Sequence, residues 1–324
     1  MTIYSPITTG SGAFIVHEQL SRHIEHYRIH KISPRLSLFP FLCRTSAQDA
    51  HITHTLPDLG PWVLPGHTRN IVTFHNYYLD AEWKHHCSGA QSLYYSSLLK
   101  YYVNQSVKNA HHITAVSYNT ADLIKKDIPA IKNVTVIRNG VDCELFSPVD
   151  RDSDNGTIKL LFAGNPTKRK GISTLNRIAA ELPDNITLRC TEGLRQHTDS
   201  HSHSSIEWIA RRPHEKMAEI YNASDILFFP SYREGLSLVL LEAMACGLPV
   251  VTTNVSSMPE LIEHGKGGFL YEPNDMKQAM SYINQLAENK ALRMDMGAYN
   301  RQRIEAEFTL PRMIRDYHDL FNNA

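Results

Sequence analysis

The sequence carries no net charge, because its 33 basic side chains are matched by 33 acidic ones. Nucleic-acid binders usually present a surplus of Lys and Arg along one face, so this balance leaves no nucleic-acid partner to be expected. Cysteine is scarce as well. Five cysteines (Cys43, Cys87, Cys143, Cys190, Cys246) are scattered, odd in number and without C-x-x-C spacing. That is the pattern of reduced, packed thiols rather than of a disulfide framework. Long apolar runs are missing. The longest, around Leu36 to Cys43, is interrupted by Ser37 and Pro40, far short of the roughly 20 residues of a membrane-spanning helix. The amino terminus Met-Thr-Ile-Tyr-Ser-Pro has neither the basic start nor the apolar stretch of a signal peptide. Together these absences lead to the expectation of a soluble cytoplasmic chain.

Histidine, by contrast, is abundant, at 18 residues. The hydrophobic fraction of 42% and charged fraction of 20% are those of a globular protein. A chain of 324 residues suggests two domains at roughly 100 to 200 residues each.

The pattern along the chain is that of alternating strands and helices. A short apolar segment, Ile3 to Pro6, leads through Thr8-Thr9-Gly10-Ser11-Gly12 into an amphipathic run from Phe14 to Tyr27. Strand-like segments recur at His51–Thr55, Asn70–His75 and His112–Val116. A long helical pattern spans Gln91 to Lys108, and Ser117 to Asn119 can cap a helix from Thr120. A polar cluster at residues 150–156 reads as an interdomain linker, because the alternation restarts cleanly after it. Strands then read at Ile158–Ala163, Ile186–Cys190, Ile226–Phe229, Pro249–Thr252 and Gly268–Tyr271. The helices between and after them read at Ile172–Leu182, Pro213–Tyr221, Ser237–Ala245, Met258–Glu263, Met276–Glu288, Lys290–Glu307 and Leu310–Phe321. Short apolar strands separated by helices imply parallel sheets covered on both faces.

In such sheets ligands bind beyond the carboxyl ends of the strands. Two loops there carry chemistry. The first, Ala163-Gly164-Asn165-Pro166-Thr167-Lys168-Arg169-Lys170-Gly171, puts three consecutive cations beside a helix amino terminus. A diphosphate would suit that place, since charge-assisted hydrogen bonds contribute roughly 1.5–3 kcal/mol each. A solvated basic turn explains the loop alone equally well. The second, Pro230 to Ser237, holds Glu234, and Glu242 follows eight positions later, close to two helical turns. A carboxylate only accepts hydrogen bonds, which suits it to paired sugar hydroxyls. On spacing alone, a helix-dipole partner and a structural ion pair remain the simpler reading.

The wider segment changes that balance. Residues Ser224 to Ser231, Arg233-Glu234-Gly235, Leu241 to Val251 and Pro259-Glu260-Leu261 closely resemble the signature of family 4 glycosyltransferases, retaining enzymes whose hallmark is this pair of glutamates. Asn139-Gly140-Val141-Asp142 with Phe146 and Pro148 looks like the end of that family's first domain. The resemblance is strong after Asn139 and weaker before it. It implies an α/β fold of the GT-B type, with two Rossmann-like β/α/β domains facing each other across a cleft. Residues 1–150 would form the acceptor domain, 151–306 the nucleotide-sugar domain, and 307–324 a helix crossing back to the first.

The resemblance also implies roles. Glu234, Lys170 and His75 would be catalytic: Lys170 binding the donor diphosphate, Glu234 contacting the transferred sugar, His75 reaching it from the first domain. Glu242 would hold the ribose. Gly235, Leu236 and Ser237 would cap phosphate or sugar, Gly12 would approach the diphosphate, and Arg212 would lie by the base. Asn165 stands where many members carry Arg, with Arg169 as the available second cation, and Ser11 replaces one of a usual pair of glycines. No cofactor or metal is expected, only a nucleotide-diphosphate sugar, UDP before GDP. A saccharide or glycolipid acceptor, a part in cell-surface polysaccharide assembly and a peripheral contact with the inner membrane face follow from family habit. A catalytically silent subunit that binds nucleotide sugar or a partner transferase is the alternative from another class. A related epimerase or phosphorylase is disfavoured by the paired glutamates and Lys170-Gly171.

Four other signals carry less weight. Gly10-Ser11-Gly12 lacks the third glycine of a dinucleotide fingerprint, where Ile15 stands. Asp150-x-Asp152-x-Asp154 has its glycine one place too late for a calcium loop and Leu161 in place of the final acid. His85-His86-Cys87 has no partner pair, and Phe14 to Lys31, although rich in His and Arg, reads as a packed helix with a solvated face.

Overall fold

The computed structural model describes residues 1–36, 39–43, 47, 49–80, 83, 89–149, 156–192 and 205–323. Residues 150–155, where a linker was expected, and His85-His86-Cys87 lie outside the described residues. The described chain divides into two compact units, Met1–Asn139 with Pro311–Ala324, and Gly140–Leu310.

The first unit holds six parallel strands: β1 (Ile3–Thr8), β2 (Tyr27–Ile32), β3 (Ile52–Thr55), β4 (Arg69–Phe74), β5 (His112–Ala115) and β6 (Thr135–Val136), in the order β2-β1-β3-β4-β5-β6. Helices α1 (Gly12–His23), α2 (Gly89–Tyr94), α3 (Lys100–Asn109) and α4 (Tyr118–Asp127) connect them, with a π-helical turn over Tyr95–Leu99 joining α2 to α3. The caps are local. Ser11 accepts from Phe14 N and Ser117 from Thr120 N, each filling one of the unmet amides that open a helix.

One expectation is overturned here. The helix expected to run from Phe14 to Tyr27 stops at His23, His26 turns the chain at φ 61°, and Tyr27–Ile32 becomes a strand. That segment pairs with β1 over six residues, from Ile3↔Tyr27 to Thr8↔Ile32, and the ladder outweighs the weak helical periodicity of its polar sequence.

The second unit repeats the architecture with β7 (Ile158–Phe162), β8 (Ile186–Thr191), β9 (Ile206–Ile209), β10 (Ile226–Phe229), β11 (Val250–Thr253) and β12 (Gly268–Tyr271). Its order is β12-β11-β10-β7-β8-β9, all parallel. The four residues of β10, Ile-Leu-Phe-Phe, are all fully buried, as befits a central strand covered on both faces. Helices α5 (Ile172–Glu181), α6 (Met217–Asn222), α7 (Leu238–Ala245), α8 (Met258–Leu261), α9 (Met276–Glu288) and α10 (Lys290–Glu307) complete it, and α11 (Leu310–Asn323) follows. On α11, Met313, Tyr317 and Phe321 recur every fourth residue and are buried. The Tyr317 and Phe321 rings lie 5.3 and 5.4 Å from that of His54 in the first unit.

The division after Asn139 differs from the boundary at residue 150 read from the polar cluster, and the second division falls after Leu310 rather than residue 306. The reason is packing. The Arg301 guanidinium donates to the carbonyls of Cys143 and Phe146, and Asn222 donates to Ser147 O. Val141 N donates to Phe308 O and Leu310 N donates to Val141 O. These bonds tie residues 141–147 to the second unit.

Candidate active site

In the second sheet β7 lies beside β10, and the chain winds outward from that pair in both directions. Loops leaving the two strands at such a reversal open a crevice at their carboxyl ends. The loop after β7 carries Lys170 and the loop after β10 carries Glu234, so the two motifs separated by 64 residues meet at one place in the fold.

They meet atom to atom. Lys170 Nζ lies 2.6 Å and Arg169 Nη1 3.0 Å from the same Glu234 oxygen, Oε1, which also accepts from Ser231 Oγ at 2.6 Å. Lys170 Nζ stands 4.7 Å over the Phe229 ring. The backbone of Glu234 is fixed too: its N donates to Ser256 Oγ, while Ser256 Oγ and Ser257 Oγ donate to its carbonyl. Burial alone would push the Glu234 carboxyl up, but the Lys170 and Arg169 charges outweigh it and hold the group at about 2. Burial lowers the Lys170 ammonium from its ordinary range, and Glu234 opposes that shift. Two cations around one carboxylate leave a net positive cluster, and α5 adds its amino-terminal partial charge next to it.

Gly171 makes the approach feasible. It caps α5 at φ 79°, a left-handed conformation, and a Cβ there would overlap the carbonyl oxygen of Pro230. The start of the loop is held by Thr191, whose Oγ1 accepts from Gly164 N at 2.9 Å. Asn165, in the same loop, has its carboxamide oxygen buried without a hydrogen-bond partner among the described residues.

Glu242 lies on α7 and is 4% exposed. Both its oxygens are occupied, Oε1 by His214 Nε2 at 2.8 Å and Oε2 by the Tyr221 hydroxyl at 2.7 Å. Glu234 and Glu242 thus answer to different partners. Gly235, Leu236 and Ser237 are buried in the turn before α7, and Ser237 Oγ caps that helix by accepting from Leu240 N. Arg212 lies exposed in the loop after β9. In that loop it is His214, two residues on, that reaches the paired glutamate.

Gly12 and His75 belong to the first unit. Gly12 opens α1 and is exposed, and His75 follows β4. The His75 ring is not isolated: its Nε2 lies 3.2 Å from His17 Nε2 on α1. Burial lowers the His75 imidazole to about 3, so it is neutral at physiological pH. Sequence reading did not single out Ser231, Ser256, His214, Tyr221 or His17. Ser231 lies within the recognised motif, whereas the others are brought in by tertiary contacts.

Among the described residues no cluster of His, Cys, Asp and Glu has the makings of a metal site, and no helix is long and apolar enough to cross a membrane.

Comparison with known proteins covers most of the chain. The family described as Glycosyl transferases group 1 matches residues 147–303, and Glycosyltransferase Family 4 matches residues 12–145. An uncharacterized glycosyltransferase of Methanocaldococcus jannaschii is 24% identical over 248 residues, covering 70% of this chain and 63% of that protein. The chain spans between half and two thirds of the length of the first curated relatives it matches. Two solved structures share the fold. Sucrose-phosphate synthase from Thermosynechococcus elongatus superposes with a TM-score of 0.84 at 18% identity, covering 100% of this chain and 99% of that one. HepE from Anabaena, in complex with UDP-glucose, gives 0.81 at 16% identity, covering 99% and 100%. Both halves of the chain thus match adjoining family descriptions, and the second half brings Glu234 and the Lys170 loop together. The chain belongs to the family 4-type glycosyltransferases of the GT-B fold.

Proposed function

We propose that this glycosyltransferase moves a hexosyl group from a nucleoside diphosphate sugar, a UDP-sugar before a GDP-sugar, to a hydroxyl of a saccharide or glycolipid acceptor. Anomeric configuration is retained in this reading, and the reaction serves cell-surface polysaccharide or glycolipid assembly, with the protein cytoplasmic and in peripheral contact with the inner membrane face. The observation that carries it is the convergence of Lys170 and Arg169 on Glu234 Oε1 beside the amino terminus of α5.

Cleaving the donor leaves charge on the departing diphosphate while positive charge develops at the anomeric carbon. Cations fixed in a buried site stabilise that separation without having to reorganise at the moment of reaction. Lys170 and Arg169 are held in advance by Glu234, and an arriving diphosphate shares them. Lys170 is the nearer of the two to the carboxylate and the more buried. Glu234, charged throughout the neutral range, faces the transferred sugar. On Glu242, Tyr221 keeps Oε2, and the partly exposed His214 yields Oε1 to a ribose hydroxyl. Arg212 serves the base, the amides of Gly235 to Ser237 serve phosphate or sugar, and Gly12 and His75 are the first unit's contributions.

A second reading is a silent subunit that binds nucleotide sugar or a partner transferase; both Glu242 oxygens are already engaged, so a ribose would have to displace a partner, which favours the partner-binding form of that reading. Thermal unfolding with UDP, GDP, ADP and dTDP separates the readings from a failed site assignment. A ligand at 100 times its dissociation constant adds about 2.7 kcal/mol to stability. We expect a shift with UDP that Lys170→Ala and Glu242→Ala both abolish. No shift with any diphosphate would overturn the donor site. Product release from UDP-sugars by the protein alone would eliminate the silent subunit.

A further inference from the structure

The first unit contains a buried chain of hydrogen-bonding side chains that the family assignment leaves unexplained. His17, on α1, and His54, on β3, are fully buried, and their rings stack at 4.3 Å with 18° between planes. His17 Nδ1 lies 2.7 Å from Ser5 Oγ and 2.9 Å from the Tyr27 hydroxyl. That hydroxyl is also 2.7 Å from His54 Nδ1, and His54 Nε2 is 2.7 Å from Thr73 Oγ1. The other end of the chain is His75, whose Nε2 faces His17 Nε2 at 3.2 Å. The remaining His75 nitrogen, Nδ1, makes no hydrogen bond among the described residues, and His75 is the least buried of the three histidines.

We propose that His17 is a positioning residue for His75: the two neutral rings share one proton between their facing Nε2 atoms, so the hydrogen bonds of His17 to Ser5 and Tyr27 decide whether His75 Nδ1 donates or accepts. The bookkeeping is strict. A neutral imidazole carries one N–H, and two facing nitrogens at this distance need one donor and one acceptor. If His17 donates from Nδ1 to Ser5 or Tyr27, its Nε2 accepts from His75 Nε2–H, and His75 Nδ1 is an acceptor. If His17 Nδ1 accepts, its Nε2–H donates to His75, and His75 Nδ1 is a donor. The tautomers are complementary in both cases.

Burial favours the neutral forms. It lowers His17 and His54 well below the ordinary histidine range, with further repulsion among the rings, and it lowers His75 to about 3. Besides one another, the hydrogen-bonding and ring partners of these histidines among the described residues are Ser5, Tyr27, Thr73, Tyr317 and Phe321, none of which is charged at neutral pH. An imidazole whose tautomer is fixed from behind presents one defined hydrogen-bonding face to a ligand, and loss of the correct tautomer is costly in enzymes that depend on it. That the ligand on His75 Nδ1 is the transferred sugar rests on the function proposed above; the pairing with His17 does not.

Nitrogen-15 spectra of the histidine-labelled full chain test the pairing without any donor or acceptor. At pH 7 we expect His17 and His75 both neutral, with one protonated on Nε2 and the other on Nδ1. Both protonated on the same nitrogen, or either one an imidazolium, overturns the proposal. His17→Phe, which keeps an aromatic ring of similar size, should leave His75 averaging between tautomers, and an unchanged His75 spectrum overturns it. The combined Ser5→Ala and Tyr27→Phe substitutions should shift both tautomers together, and a shift of one alone or of neither overturns it. In the transfer assay His17→Phe should lower kcat by roughly tenfold or more, as for other groups that orient an imidazole from behind, with the donor KM within about twofold. A fixed complementary pair whose loss leaves kcat unchanged would overturn the catalytic use of the pair, and the same indifference in His75→Ala would trace that failure to the sugar-side reading of His75.

Discussion

Lys170 Nζ and Glu234 Oε1 stand 2.6 Å apart, and both side chains are nearly buried, at 13% and 10% exposure. A buried pair of this kind is worth little over an apolar pair of equal volume, yet removing one member leaves the other uncompensated. Glu234→Gln is therefore expected to destabilise the second unit by roughly 3 kcal/mol at pH 7, as measured by denaturant unfolding. An unchanged midpoint would mean that Arg169 and Lys170 find other anions.

Gly171→Ala is expected to cost more than a helix-cap substitution usually does. The left-handed conformation alone costs roughly 1–2 kcal/mol for a residue with a Cβ, and the Cβ would overlap the Pro230 carbonyl. The β7 and β10 loops have to separate to admit it. Calorimetry should show the loss of stability, and titration with UDP should show weaker binding.

Acid should destabilise the first unit before it touches the Glu234 cluster. Histidines 17, 54 and 75 are held below the ordinary value of 6.5, chiefly by burial. The unfolded chain binds protons from pH 6.5 downward while the folded chain does not, so stability falls as pH falls. Three such groups give a slope approaching about 4 kcal/mol per pH unit below pH 5.5. Glu234 acts in the same direction over a lower window: depressed to about 2 from 4.5, it contributes stability above pH 4.5 and loses it only below. Unfolding free energies at pH 7 and 5.5 should thus differ by about 4 kcal/mol, and replacing the three histidines with apolar residues should flatten that slope.

Tyr221→Phe should uncover the role of the Glu242 clamp. It leaves Oε2 of a nearly buried carboxylate without its donor, at a cost of roughly 1–3 kcal/mol. His214→Ala, which removes a partner that is 26% exposed at the side chain, should cost less in stability and change UDP affinity more. The reverse order would place Glu242 in a structural rather than a ligand-binding role.

Much of the second unit could be read from the chain. Five of its six strands announce themselves as apolar runs bounded by turns, whereas β9, with the short sequence Ile-Glu-Trp-Ile, does not read as a strand; the ends of α9 and α10, Met276–Glu288 and Lys290–Glu307, fall where periodicity puts them. Lys170 and Glu234 stood out because each lies in a contiguous motif. The first unit was less legible. Tyr27–Ile32 has a polar, weakly patterned sequence, and pairing with β1 decided its conformation.

What the sequence determined by itself was local: the alternation of strands and helices, the caps at Ser11 and Ser117, and the glycine that turns the chain at 171. Each depends on residues within a few positions of one another, where propensity and hydrogen-bonding reach are set by covalent connection. What only the tertiary structure decided were contacts across the chain. Residues 169 and 170 meet Glu234 because β7 and β10 are neighbours in the sheet. His17 meets His75 across 58 positions because α1 and the end of β4 pack together. The segment 141–147 belongs to the second unit because Arg301, more than 150 residues away, holds two of its carbonyls. No periodicity encodes such pairs, since they arise when apolar faces are buried together and bring along the polar groups those faces carry.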